Sequence, residues 1–201
     1  MSDWDVLDWR RRVTALYDSV RTTARTVGVQ AAHDVWLSGR SALLRTHPAS
    51  PLPPDRRDDY RDKVAPYDPA YRFVVPVEAA EPGQRQVQTG TDDVVTYRRV
   101  GRVRLADLGT LDAWWIVGYA GGLFLPMRDA TSGTLSYGGG RYLLDTIKGA
   151  DLGGVDDRLI VDLNFAYQPS CAYDESWACP LPGPENTLST AVHVGELSAV
   201  P

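Results

Sequence analysis

The spacing of apolar residues changes once along the chain, near Tyr71, and this change most constrains the fold. Before it, apolar residues recur every three or four positions, the period of an α-helix; after it they recur every second position, the period of a β-strand. No regular strand–helix–strand alternation follows, so Rossmann and TIM-barrel architectures are excluded. We therefore predict an α+β protein with the helices first and a mainly antiparallel sheet after them.

Two helices are predicted in the first 46 residues. The first carries an apolar stripe over residues 6–27 and ends at Gly28. The second carries a stripe over residues 32–44, with Arg40 facing outward. Each proline that follows lacks an N–H group and fixes φ, so residues 47–70 are predicted to be an irregular connection. These prolines are Pro48, Pro51, Pro53 and Pro54.

Seven short strands are predicted after the connection, separated mostly by turn-like segments that favour antiparallel hairpins. They cover residues 72–75, 85–88, 94–97, 100–105, 114–119, 122–126 and 159–163. So many strands in so short a segment indicate a curved antiparallel β-sheet or a small β-barrel, with the two N-terminal helices packed against it. The predicted units are a helical segment 1–46, a connection 47–70 and a β-domain 71–201, together forming one compact body.

Charge and hydropathy exclude several classes of partner. The net charge is −5, and no lysine or arginine follows Arg158, whereas a nucleic-acid backbone requires clustered cations. No stretch approaches the ~20 apolar residues of a membrane span, and the N-terminus lacks the features of a signal peptide. We therefore expect a cytoplasmic protein that contacts neither nucleic acid nor membrane, and a homodimer is left open.

Polar and aromatic residues concentrate in two later segments. Residues 126–142 contain Arg-Asp-Ala-Thr-Ser-Gly and Tyr-Gly-Gly-Gly-Arg-Tyr, while residues 162–196 contain Asn-Phe-Ala-Tyr-Gln-Pro-Ser-Cys-Ala-Tyr and Cys-Pro-Leu-Pro-Gly-Pro-Glu-Asn. Three consecutive glycines permit positive φ or close backbone approach, as at a β-bulge, a tight corner or a ligand contact. They are not followed by the Lys-Ser/Thr of a phosphate-binding loop.

In these segments the chain resembles the uncharacterised bacterial family called domain of unknown function 1684. The likeness extends upstream through residues 47–52 and 66–72, so it covers nearly the whole chain, with departures at Phe165, Gln168 and Gly183. The resemblance implies a shared fold and a shared pocket, and it implies no established activity.

An arginine and a set of carboxylates suggest chemistry. We predict that Arg141 holds a ligand carboxylate bidentately, while Glu185 or Asp129, with a pKa raised by burial, moves a proton. This requires Arg141 and Glu185 to converge on one solvent-reachable cavity. The residues predicted to bind the substrate there are Tyr137, Tyr142, Asn164, Tyr167, Cys171, Tyr173, Cys179 and Asn186. The predicted function is cofactor-free acid–base catalysis, such as isomerisation, cyclisation, elimination or hydrolysis, on a small anionic organic substrate.

The alternative is a binding or carrier module without catalysis, in which Arg141 belongs to an internal ion-pair network with Glu185 or Asp162. Cys171 and Cys179 also leave alternatives open. They could form a disulfide, join histidines in a metal site, act as nucleophiles with His193 and Asn186, or pack as small apolar residues. No dinucleotide fingerprint is present, and we predict neither a cofactor nor a metal.

Overall fold

Two helices form the N-terminal part of the computed structural model, which describes residues 1–88, 94–119 and 121–198. Helix α1 spans Asp3–Thr26 and helix α2 spans Val29–Thr46, and the two pack against each other. The Ser2 hydroxyl accepts the Asp5 N–H while the Asp5 carboxylate accepts the Ser2 N–H, which closes a capping box at the start of α1. Gly28 turns the chain between the helices at φ 135°, a conformation that favours glycine.

Eight strands form two antiparallel sheets. They are β1 Arg72–Pro76, β2 Gln84–Gln88, β3 Val94–Arg104, β4 Thr110–Ile116, β5 Gly122–Met127, β6 Arg141–Asp145, β7 Gly154–Val155 and β8 Arg158–Asp162. The larger sheet has the order β2-β3-β4-β5-β6 and the smaller one the order β1-β8-β7. The predicted α+β fold, with helices packed on an antiparallel sheet, is confirmed.

The barrel alternative is wrong, because the described strands form two sheets rather than one closed sheet. Strand β1 pairs along its length with β8 and not with β2. The larger sheet reaches the rest of the chain through isolated bridges, Glu78 with Arg102 and Tyr142 with Tyr167. A closed barrel requires continuous hydrogen bonding between neighbouring strands, and isolated bridges do not provide it.

Strand β6 is not among the predicted strands, none of which lies between residues 126 and 159. It pairs with β5 across a register shift between Leu125 and Pro126. Of the three glycines before it, Gly140 has φ 89°, and a Cβ built on it would lie 2.5 Å from the Met127 carbonyl oxygen. Gly140, the last of the three glycines, therefore permits a close backbone approach at the start of β6, beside a bulge.

The main hydrophobic core lies between the larger sheet, β8 and the C-terminal segment, where Val161, Leu188 and Val192 pack against the sheet. A second cluster joins Tyr17 of α1 and Trp36 of α2 to Ala150, Leu152 and Phe165. The helices therefore cover the loops beside β6 and β8. No helix among the described residues is both long and apolar enough to cross a membrane.

Candidate functional site

A cavity lies where the two helices cover the loops that follow β6 and β8. We call it the aromatic cavity because six aromatic side chains line it: Trp9, Tyr17, Trp36, Tyr142, Tyr167 and Tyr173. Its basic lining residues are Arg40 from α2 and Lys148. The volume of the cavity that water centres can occupy is about 70 Å³. This is enough room for several water molecules or a small ligand. Aromatic walls with few polar groups are typical of small-molecule sites.

Arg40 enters this cavity from the inner face of α2, which corrects the prediction that it faces outward. Its guanidinium lies over the Tyr167 ring at 5.0 Å from the ring centre. Its Nη2 group donates to Glu196 Oε2 at 2.8 Å and to the Tyr173 hydroxyl at 2.9 Å. The buried Nε–H has no hydrogen-bond partner among the described residues. This partly buried arginine thus has a buried donor that no described residue uses.

Glu196 balances the Arg40 charge and connects the cavity wall to the C-terminal segment. Besides Arg40, its carboxylate accepts the Gln168 N–H at 2.8 Å and the Tyr60 hydroxyl at 3.4 Å. It also accepts the Tyr173 hydroxyl. Burial and the Glu196 charge hold the pKa of Tyr173 well above its ordinary value, although the Arg40 charge opposes this. Tyr173 is therefore a protonated donor at neutral pH.

Arg141 and Asp129, two of the three residues predicted to be catalytic, form a fully buried ion pair at 2.8 Å. The arginine also donates to the backbone carbonyls of Val192 and Val194, at 3.0 and 2.6 Å. Burial opposes ionisation of Asp129, but the Arg141 charge and hydrogen bonds from Thr131 lower its pKa below the ordinary value. The expectation of a raised pKa is thus wrong for Asp129, and the pair does not line the aromatic cavity.

Glu185, the third predicted catalytic residue, is partly exposed and pairs with Arg85 at 3.4 Å. The expected convergence of Arg141 and Glu185 is therefore not found. The expected pairing of Arg141 with Glu185 or Asp162 is also wrong, because Asp129 takes that place and Asp162 pairs with Arg72 at 3.5 Å. A buried guanidinium requires its carboxylate nearby, and Asp129 lies in the turn that precedes β6. The catalytic role of these residues stays a prediction.

Three of the predicted substrate-binding residues, Tyr142, Tyr167 and Tyr173, do line the aromatic cavity. The Tyr142 hydroxyl donates to the Pro180 carbonyl at 2.7 Å, which attaches the proline-rich loop to β6. Tyr137 lies elsewhere and donates to Cys171 Sγ at 3.6 Å.

The two predicted asparagines are buried and bind backbone groups. Asn164 Nδ2 donates to the Asp68 carbonyl and its Oδ1 accepts the Asp68 N–H, both at 2.8 Å, so it holds the connection against the end of β8. Asn186 Nδ2 donates to the carbonyls of Asp112 and Pro126, and its Oδ1 accepts the Trp114 indole N–H. Every polar atom of each amide is thus used within the fold, which favours a structural role for both residues.

Cys171 and Cys179 are free thiols, each partly exposed, and lie next to each other. Among the described residues, no group of three or more histidine, cysteine or acidic side chains could hold a metal ion. His193 is exposed, and the structure gives it no contact with either thiol.

Arg40 and Glu196 were not among the predicted site residues. The position of Arg40 in the sequence could have predicted its inward orientation, because it follows the buried Trp36 by one helical turn. Glu196 carries no local signal, since its partner lies 156 residues earlier in the chain.

Comparisons with known proteins give a family and a structural relative. A family model described as "Protein of unknown function (DUF1684)" matches residues 62–197. An uncharacterised protein of Haloarcula marismortui, solved by NMR in solution, is 33% identical, with a TM-score of 0.59 over 89% of this chain and 97% of that chain. A search of the curated proteins found no match. The matched regions include Glu196 and the loops around the aromatic cavity, but neither description names an activity.

Proposed function

This chain belongs to the DUF1684 family of proteins of unknown function, and we propose that it binds a small organic anion with a flat apolar body in the aromatic cavity. The observation that carries the proposal is that Arg40 lines a cavity with aromatic walls while its buried Nε–H has no hydrogen-bond partner among the described residues. A guanidinium presents its donors in a planar fork that suits a carboxylate. An anion bound in the cavity would pair with this guanidinium.

The surroundings of Arg40 support an arginine held ready for a ligand. Glu196 and Tyr173 contact its Nη2 group, and the Tyr167 ring lies against one face of the guanidinium. These contacts fix its orientation, so little side-chain entropy remains to be lost on binding. Lys148 adds a second cation to the lining. The small volume favours a ligand about as large as a single ring with one carboxylate.

Acid–base catalysis on such an anion is the second candidate, favoured by the hydrogen bond from Tyr173 to Glu196 at the cavity wall. Tyr173 can take a proton from a bound ligand while its own proton passes to Glu196. Enolisation of phenylpyruvate, followed by solvent deuterium uptake in NMR, tests this candidate. Uptake that Glu196→Gln abolishes supports it, and uptake no faster than in buffer alone overturns it.

Tryptophan fluorescence tests binding directly, because Trp9 and Trp36 line the cavity. Benzoate and benzamide are matched probes with nearly the same shape, one charged and one neutral. We expect benzoate to bind roughly tenfold or more tightly, since a charge-assisted hydrogen bond contributes about 1.5–3 kcal/mol. Equal affinities, or no binding of either probe, would overturn the proposal.

Substitutions of Arg40 and of its partner Glu196 test whether Arg40 is the group that prefers the charged probe. Removing Arg40 alone would leave Glu196 as an unpaired buried charge, so the variant of choice is Arg40→Gln combined with Glu196→Gln. It removes both charges and keeps polar groups at both positions. We expect it to abolish the preference for benzoate. Arg45→Gln is the matched control, because Arg45 is exposed on the same helix and does not line the cavity. It should leave the preference unchanged.

A further inference from the structure

The two cysteines lie together in the proline-rich loop that follows β8. The Cys171 N–H donates to Cys179 Sγ at 3.2 Å, which brings the backbone of one cysteine against the sulfur of the other. The Tyr137 hydroxyl lies 3.6 Å from Cys171 Sγ. Both thiols are free and partly exposed, so a small reagent can reach the pair. Neither the cavity nor its proposed ligand uses these sulfurs.

The environment of the pair makes the thiols chemically unequal. A hydrogen bond with the Cys171 thiol lowers the pKa of Cys179 to about 6, helped by the N–H groups of Cys171 and Ser170 and by the Lys148 charge, against the effect of burial. Hydrogen bonding with Cys179 and burial raise the pKa of Cys171. Further titratable groups close enough to interact with the pair are Tyr97, Tyr137, Tyr142 and Tyr167. These shifts favour a thiolate at Cys179 beside a protonated thiol at Cys171.

We propose that Cys171 and Cys179 form a thiol–disulfide exchange site that reacts with low-molecular-weight disulfides. Cys179 provides the attacking thiolate and Cys171 the resolving thiol. We assign the attacking role to Cys179 because the Cys171 N–H points at its sulfur and stabilises a thiolate there, while Cys171 has the adjacent sulfur that can displace a mixed disulfide.

The reaction proceeds in two balanced steps. The Cys179 thiolate attacks one sulfur of the disulfide R–S–S–R, the S–S bond breaks, one thiolate RS⁻ leaves, and a mixed disulfide remains on Cys179. Cys171 then gives its proton to the released thiolate and attacks the Cys179 sulfur, which expels the second RS⁻. The dithiol is oxidised by two electrons to an internal disulfide, and R–S–S–R is reduced to two thiols.

The probe 4,4′-dithiodipyridine, which releases one thiopyridone per exchange, tests this sequence when combined with intact-mass measurement. Wild-type protein should release two thiopyridones and end two hydrogens lighter with no adduct attached. Cys171→Ser should release one and retain one pyridyl adduct, because the resolving thiol is gone. Wild-type protein that does not react, or that retains two adducts, would overturn the proposal.

The rate at pH 6 identifies the attacking thiol. Half of Cys179 is then ionised, against about a thousandth of an ordinary thiol, and the lower nucleophilicity of the more acidic thiolate cancels only part of this gain. We therefore expect Cys179→Ser to react roughly tenfold or more slowly than Cys171→Ser. Equal rates for the two variants, with native circular dichroism in both, would refute the assignment. In urea the two variants should react alike, since the folded environment is then lost.

Discussion

Replacing Arg141 by methionine should destabilise the fold strongly without changing the affinity of the aromatic cavity. Arg141 has no exposed surface, and its two Nη groups donate to the Asp129 carboxylate and to the carbonyls of Val192, Val194 and Glu196. Methionine fills similar space but leaves Asp129 as a buried charge without its partner. Breaking a buried ion pair from one side costs about 3–5 kcal/mol.

Glu185→Gln is the matched comparison, because sequence reasoning gave Arg141 and Glu185 equal weight. Glu185 pairs with Arg85 at 3.4 Å, and both side chains keep contact with solvent. An exposed pair of this kind contributes less than about 1 kcal/mol. The structure therefore predicts that the free energy of unfolding falls much more in Arg141→Met than in Glu185→Gln. If the two residues shared one catalytic site, no such difference would be expected.

Urea unfolding followed by circular dichroism measures both losses, and thermal unfolding checks them. At about 2–4 °C per kcal/mol for a chain of this size, the midpoint of Arg141→Met should fall by about 6–20 °C. Adding Asp129→Asn should recover part of the loss, since no unpaired charge is then buried. A loss below about 1 kcal/mol in Arg141→Met, or weaker benzoate binding in Glu185→Gln, would refute this assignment of roles.

Two further predictions concern backbone geometry and pH. Gly140→Ala should lower the free energy of unfolding by at least about 1–2 kcal/mol in urea, because Gly140 has φ 89° and the new Cβ would meet the Met127 carbonyl. Gly138→Ala, whose Cβ would have its nearest contact at 3.6 Å, should be tolerated, and equal losses would contradict the reasoning. Burial raises the pKa of Asp145 above its unfolded value, so the protonated form stabilises the fold at low pH and this contribution is lost as pH rises. Asp145→Asn should therefore be more stable than wild type at pH 7, with the difference shrinking toward pH 4; a difference that grows on acidification would be inconsistent with a raised pKa.

The change of apolar period was sufficient to predict the α+β class, the two helices and six of the strands. Two of the predicted strands, 94–97 and 100–105, are one continuous strand, β3. The apolar period missed β6 because every residue of this strand is buried, so polar and apolar residues do not alternate along it. The charged residues at its two ends, Arg141 and Asp145, look like surface residues in a sequence. Arg141 is buried against Asp129 in the preceding turn, and Asp145 accepts the Lys148 N–H of the short helix that follows the strand.

Arg40 shows the same limit on the site itself. A charged residue on an amphipathic helix is normally assigned to the solvent face, since burial of an unpaired charge is expensive. The pairing that reverses this assignment comes from Glu196, which lies beyond all the strands. No local pattern contains that information. The sequence does single out four tyrosines as a group, and three of them, Tyr142, Tyr167 and Tyr173, line the cavity, whereas Tyr137 does not.

Arg40 and Arg141 differ in the space around their guanidinium groups, and this difference is the basis for proposing a ligand at Arg40 only. Arg141 and Arg40 each have a carboxylate partner, and each has a buried Nε–H without a partner among the described residues. An unused donor alone therefore does not indicate a ligand. What differs is the space beside the guanidinium: Arg141 is enclosed by backbone carbonyls, whereas Arg40 borders a cavity with aromatic walls. A sequence supplies the residue types of a site, but the empty volume exists only after the helices have packed on the loops, and that volume is why we propose Arg40 rather than Arg141 as the ligand-binding residue.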